Sequence, residues 1–153
     1  MGNKYLYLIF ASIGFIFLRS GYGKISEGKF VGSLGETLAK FASKNPYPLV
    51  KNFLEQTAIP NSEVFGLLTM YGEVFAGISI TLTSIYLLFV SKGSRAGYMI
   101  LGAGFLTGAF LNAVFWLSAG YTSASTESLN LIMLAVQIIG LWFVWQKLMV
   151  GEK

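Results

Sequence analysis

Seven side chains in this sequence have the type and the spacing to hold a ligand: Arg19, Tyr22, Lys24, Glu73, Asn112, Asn130 and Gln137. The two cations supply charge and hydrogen-bond donors that suit an anion, or the carbonyl and hydroxyl groups of a quinone. Glu73 sits inside a long apolar run, where it can either hold the Arg19 guanidinium in place or exchange a proton. The amides and the phenol can only orient a ligand. No nucleophile, metal cluster or phosphate-cradling loop accompanies them, so none of the seven is assigned a catalytic role. Histidine and cysteine are both absent. That excludes thiolate chemistry, imidazole general-base chemistry and the usual axial ligands, so the chain itself ligates no haem or metal. Any redox role must run through a bound small molecule, with a quinone as the candidate, or through a partner subunit.

The segments that must position these residues are apolar. Of 153 residues, 54% are hydrophobic and only 12% charged, well under the roughly 25% charge of soluble domains. Four stretches, 5–23, 65–90, 96–118 and 129–147, are long enough to cross a hydrocarbon core of about 30 Å. The expectation is one domain over 1–153, an all-α integral membrane protein built as a four-transmembrane-helix bundle. The formal charge of +4 is dispersed without a basic block, which leaves nucleic-acid binding no electrostatic footprint.

The first stretch has the charge and length of a secretory signal, but Arg19 and Lys24 stand where a cleavage site would lie. It reads as an uncleaved helix with Ser12, Arg19, Tyr22 and Gly23 on one face. Residues 25–63 mix charge with two short amphipathic patterns. One runs through Phe30, Leu34, Leu38 and Phe41, the other through Leu49, Val50, Phe53, Leu54 and Thr57, and Asn45-Pro46-Tyr47-Pro48 breaks them apart. Their interleaved Lys and Glu favour a cap on the bundle over a helix lying on lipid. Asn61 or Ser62 is placed to cap the second span and Ser125-Thr126 the fourth. The second span carries a small, polar face of Gly66, Thr69, Glu73, Gly77 and Ser84. In the third, Gly104 and Gly108 are spaced four apart, which close packing explains without any dimer.

Depth links the candidates. Counted from the cap end at about 1.5 Å per residue, Arg19 lies roughly 6 to 9 Å in, Asn112 about 9 Å, Asn130 about 6 Å, Glu73 about 13 Å and Gln137 about 16 Å. All fall in the same half of the membrane, which predicts a polar pocket under the cap with Arg19 and Glu73 facing each other on its floor. Plainer roles stay open: Arg19 can snorkel to the interface, and Glu73 can be half of a helix-joining ion pair.

The chain also resembles a known family. Arg19-x-x-Tyr22-Gly23-Lys24, Gly72-Glu73 with Gly77, Asn112, and Asn130-Leu131-x-Met133-Leu134 with Gln137 resemble the DoxX/DoxD family of small four-helix membrane proteins. The stretch from Asn45-Pro46-Tyr47-Pro48 through Pro60 looks more like the DoxD-type branch, the membrane subunit of thiosulfate:quinone oxidoreductase. The resemblance implies a prokaryotic cell membrane, an anionic sulfur substrate near Arg19 and Lys24, quinone as electron acceptor and a partner protein subunit. Two other readings stand beside it: a non-catalytic accessory subunit packed against a larger membrane enzyme, and a small carrier or lipid-binding protein.

Basic residues tie between the two sides, with Lys24, Lys29, Lys40, Lys44 and Lys51 in the long first loop against Lys4, Lys92, Arg95, Lys147 and Lys153, so the short loops decide: Lys92 and Arg95 face an uncharged 119–126. Both termini are then cytoplasmic and residues 24–63 face outward. Single cysteines at Ser94 and Ser123 test this: an impermeant reagent added outside is expected to label Ser123 and spare Ser94, and the reverse pattern inverts the topology.

Overall fold

The computed structural model describes residues 3–90 and 93–150. Among them every regular element is helical. Element α1 is Asn3–Glu27, α2 Phe30–Lys44, α3 Pro48–Phe53, α4 Ser62–Phe89, α5 Arg95–Ala119 and α6 Ala124–Val150. A π-turn at Leu54–Ala58 follows α3, and a short 3₁₀ turn at Gly120–Thr122 joins α5 to α6. Four helices, α1, α4, α5 and α6, are long and apolar enough to cross a membrane.

The long helices run further than the apolar stretches alone. Helix α1 continues past Gly23 to Glu27, so Lys24 is a helical residue and not a loop charge. It stops at Gly28, whose φ of 66° is the left-handed conformation that favours glycine after a helix end. Helix α6 starts five residues before Leu129, because Ser123, not Ser125 or Thr126, accepts the Thr126 amide at 3.1 Å. Asn61 precedes α4 but makes no cap bond there; its amide turns back to the Thr57 carbonyl at 2.8 Å. Ser94 does cap α5, accepting from the Gly97 amide at 3.1 Å. The basic turn expected at 91–95 is described only from Gly93 onward; Ser91 and Lys92 lie outside the described residues.

The helices are arranged antiparallel in chain order, α1 on α4, α4 on α5 and α5 on α6, with α1 closing lightly onto α6. Tyr7, Phe10, Ile13 and Phe17 of α1 fill the centre against Tyr98, Leu101 and Phe105 of α5 and Met133, Phe143 and Val144 of α6. Phe10 meets Phe105 edge-on at 4.8 Å, and the Tyr7 and Tyr98 hydroxyls lie 2.9 Å apart. For helices that cross lipid there is no water to expel between them, so close backbone approach and van der Waals contact must carry such association. Helices α1 and α4 meet that demand with glycine. A Cβ on Gly77 would stand 2.5 Å from the Leu18 amide nitrogen, and one on Gly14 would stand 2.7 Å from that of Thr81.

Helix α2 lies across the end of the bundle. Its Val31 and Leu34 pack on Gly66 at the start of α4. At its far end the Asn45 amide donates to the carbonyls of Leu117 and Ser118, at 3.1 and 3.2 Å, which are free at the C-terminus of α5. Tyr121 returns the tie, donating to the Phe41 carbonyl at 2.7 Å. The first amphipathic pattern therefore buries Leu34, Leu38 and Ala42. The second does not continue as an α-helix: α3 ends after six residues and the chain passes into the π-turn, closed by the Ile59 amide on the Leu54 carbonyl at 2.9 Å.

Glycine packing generates a paired expectation. Gly77→Ala forces α1 off α4 and should lower stability by about 1 to 3 kcal/mol, the range for overpacking. Gly32→Ala, where a Cβ meets nothing within 4 Å, should hold or raise it by up to about 1 kcal/mol from helix propensity alone. Thermal denaturation in detergent measures both, and equal effects would contradict the α1–α4 packing.

Candidate functional site

The α1–α4 contact repeats every seven residues: Gly14 meets Thr81, Leu18 meets Gly77, and Gly21 meets Val74. Glu73 is carried along with Val74, and a Cβ on Gly21 would lie 3.3 Å from the Glu73 Cβ. Only 2% of Glu73 is exposed. A carboxylate in that position needs a cation from α1, and the cation one turn beyond Gly21 is Lys24. Its Nζ donates to both Glu73 oxygens, at 2.7 and 2.9 Å, and to the Ser20 hydroxyl at 2.8 Å. Three ammonium hydrogens thus meet three acceptors. Phe30, the first residue of α2, places its ring 5.0 Å from the same ammonium, within cation–π distance. The cap and the ion pair are therefore joined.

Arg19 does not face Glu73. Five residues separate it from Lys24, about 140° around an α-helix, so once Lys24 turns toward α4 the guanidinium must point away. Arg19 is exposed and makes no hydrogen bond or ion pair among the described residues. Tyr22 stands almost opposite Lys24 on the helix and is 68% exposed. The shared face of Ser12, Arg19, Tyr22 and Gly23 exists, but it is the outer face of α1.

An open groove of about 490 Å³ runs along that side of α1, lined by Phe15, Ile16, Arg19, Ser20, Gly23, Lys24 and Glu27. All seven belong to α1, so the groove is an open face of one helix and not an enclosed cleft. Apolar rings and branches line one end and charged groups the other. Ser20 and Glu27 were not among the sequence candidates. Ser20 stands one helical turn before Lys24, and that i, i+4 spacing is the signal that identifies it.

The remaining candidates are engaged elsewhere. Asn112 of α5 donates to the Gln137 carbonyl oxygen of α6 at 3.0 Å, both fully buried. Gly108 makes room for this amide, since a Cβ there would stand 2.7 Å from Gln137 Nε2. Gln137 Nε2, Thr81 Oγ1 and Ser84 Oγ are buried with no hydrogen-bond partner among the described residues. Asn130 donates to the Thr126 carbonyl of its own helix at 2.8 Å. The candidates therefore divide: Lys24 pairs with Glu73 between α1 and α4, Asn112 with Gln137 between α5 and α6, Asn130 bonds within α6, and Arg19 and Tyr22 lie outside. A single interior pocket with Arg19 and Glu73 on its floor does not form. Among the described residues no group of His, Cys, Asp and Glu is placed to hold a metal ion.

Comparison with protein-family models, with curated proteins and with solved structures finds no match.

The ion pair predicts an asymmetric response. Lys24→Met strands a buried carboxylate and should cost about 3 to 5 kcal/mol. Glu73→Gln should cost less, because the Lys24 side chain is 20% exposed and can turn toward water. A double-mutant cycle in detergent should show coupling above about 1 kcal/mol for Lys24 with Glu73, and within about 0.5 kcal/mol of additivity for Arg19→Met with Glu73→Gln. Coupling of Glu73 to Arg19 instead would overturn this assignment.

Proposed function

We propose that the chain crosses a membrane four times and serves as the membrane subunit of a quinone-linked redox complex, holding the head of a small anion or a quinone in the groove along α1. The observation that carries this reading is Arg19, a guanidinium on a long apolar helix with no partner among the described residues, inside a groove that has a polar end and an apolar end. An arginine in an apolar span marks a functional site by default. Phe15 and Ile16 at the apolar end suit a ring or an acyl chain, while Arg19 and the Ser20 hydroxyl offer donors to an anion or a carbonyl.

The chain's own chemistry in this role is limited to binding and orientation. With neither thiol nor imidazole, electrons must be carried by the bound molecule and by a partner subunit. The Lys24–Glu73 pair holds α1 in the rotation that presents Arg19 to the groove, and Phe30 of α2 closes over the ammonium. The resemblance to DoxX/DoxD proteins supports the same role and adds thiosulfate as the anion. A second reading, an accessory subunit without a ligand of its own, is supported by the exposed rings of Phe15 and Tyr22 beside Arg19, which offer a partner helix a surface.

Mass spectrometry of the protein purified from its native membrane separates the two. The proposal expects a retained quinone or small anion together with a stoichiometric partner chain. It also expects Arg19→Met to lose the ligand with a thermal midpoint close to that of the parent, since Arg19 is exposed and makes no hydrogen bond or ion pair among the described residues. A partner without any ligand favours the accessory reading. Retention of the ligand by Arg19→Met would contradict the groove as its site.

A further inference from the structure

From the charges along the α1 groove we infer that its ligand is an amphiphile with one negatively charged oxygen head, entering from the bilayer side. This rests only on the groove being a ligand site within the membrane: it replaces the quinone and the thiosulfate dianion of the redox reading with a singly charged amphiphile as the preferred occupant, and adds its route.

The charge balance is specific. Lys24 is neutralised by Glu73 at 2.7 and 2.9 Å and its third hydrogen is taken by Ser20. One cation, Arg19, is left uncompensated within the groove, and one exposed anion, Glu27, stands at its aqueous end. A neutral quinone head accepts a hydrogen bond from Arg19 but leaves its charge unmatched where the dielectric is low. A soluble dianion must pass Glu27 and then finds a single free cation. A head with one negative charge matches Arg19 alone.

Position supplies the route. At about 1.5 Å per residue Arg19 lies about 12 Å below Glu27 and about 7.5 Å below Lys24, within reach of a guanidinium rising along the groove. Phe15 and Ile16 lie deeper still, where an acyl chain would run. Beside Arg19 and one turn above it, Gly23 leaves open space, for a Cβ there would meet nothing within 4 Å, so a head can approach the backbone. A second copy of the chain is the wrong occupant. Copies share one orientation in a membrane, and a twofold axis along the membrane normal would set Arg19 against Arg19 at equal depth. The matching chemistry belongs to two sources, the phosphodiester of an anionic phospholipid and the carboxylate of a free fatty acid.

The test uses the full chain in nanodiscs of phosphatidylcholine, with phosphatidylglycerol, oleate, decylubiquinone and sulfate as probes in competition measured by native mass spectrometry. Phosphatidylglycerol or oleate should bind about tenfold or more tightly than decylubiquinone, whichever of the two wins naming the source. Arg19→Gln should abolish that preference, Arg19→Lys should keep most of it, and Glu27→Gln should let sulfate compete where the parent does not. If decylubiquinone binds as tightly as either anion, and Arg19→Gln weakens all alike, the single-charge inference falls and the groove remains a site. If no probe binds the parent, both fall. If sulfate competes equally in the parent and in Glu27→Gln, entry from the bilayer is overturned.

Discussion

A carboxylate on an apolar helix must be neutralised, and the pairing of Glu73 with Lys24 is the constraint on which the rest of this molecule depends. Glu73 lies near the middle of α4 and is almost wholly buried. Satisfying it with a lysine near the end of α1 does three things at once. It brings the glycine faces of α1 and α4 into a seven-residue register, it turns Arg19 outward, and it gives the first ring of α2 a cation to rest on. Had Arg19 taken the carboxylate, α1 would be rotated by about 140°, Gly14 and Gly21 would leave the interface, and bulky side chains would separate the helices.

Much of the fold was legible because length and apolar composition are strong signals. Helix ends were less so. The apolar stretch ends at residue 23, but apolarity marks the part that can cross lipid and not the helix end: lysine is a good helix former, and α1 runs on through Lys24 to Glu27. Likewise the Ser125-Thr126 pair looked like a cap, while Ser123 stood two residues earlier with the required spacing to Thr126.

For the candidate residues, counting along the helices and turning around them are different problems. Counting sets Glu73 and Asn112 at neighbouring levels, and Gly72 beside Leu111 agrees. Counting cannot say which of two cations five residues apart turns inward. The choice follows from the glycines, since the face carrying Gly14 and Gly21 must be the packed one and Lys24 continues it where Arg19 does not. Applied to the sequence, that face would have put Arg19 outside. The Asn112–Gln137 tie was hidden for a different reason: it needs the space left by Gly108, which only the approach of α5 and α6 reveals.

Magic-angle-spinning NMR of the protein in lipid, with ¹⁵N-lysine and Cδ-¹³C-glutamate, measures the central pairing directly through the dipolar coupling of Lys24 Nζ to Glu73 Cδ. Contacts of 2.7 and 2.9 Å to the two carboxylate oxygens require a strong coupling that vanishes in Glu73→Gln. An unchanged signal in that variant, or a strong coupling of Glu73 to ¹⁵N-arginine in its place, would contradict the account.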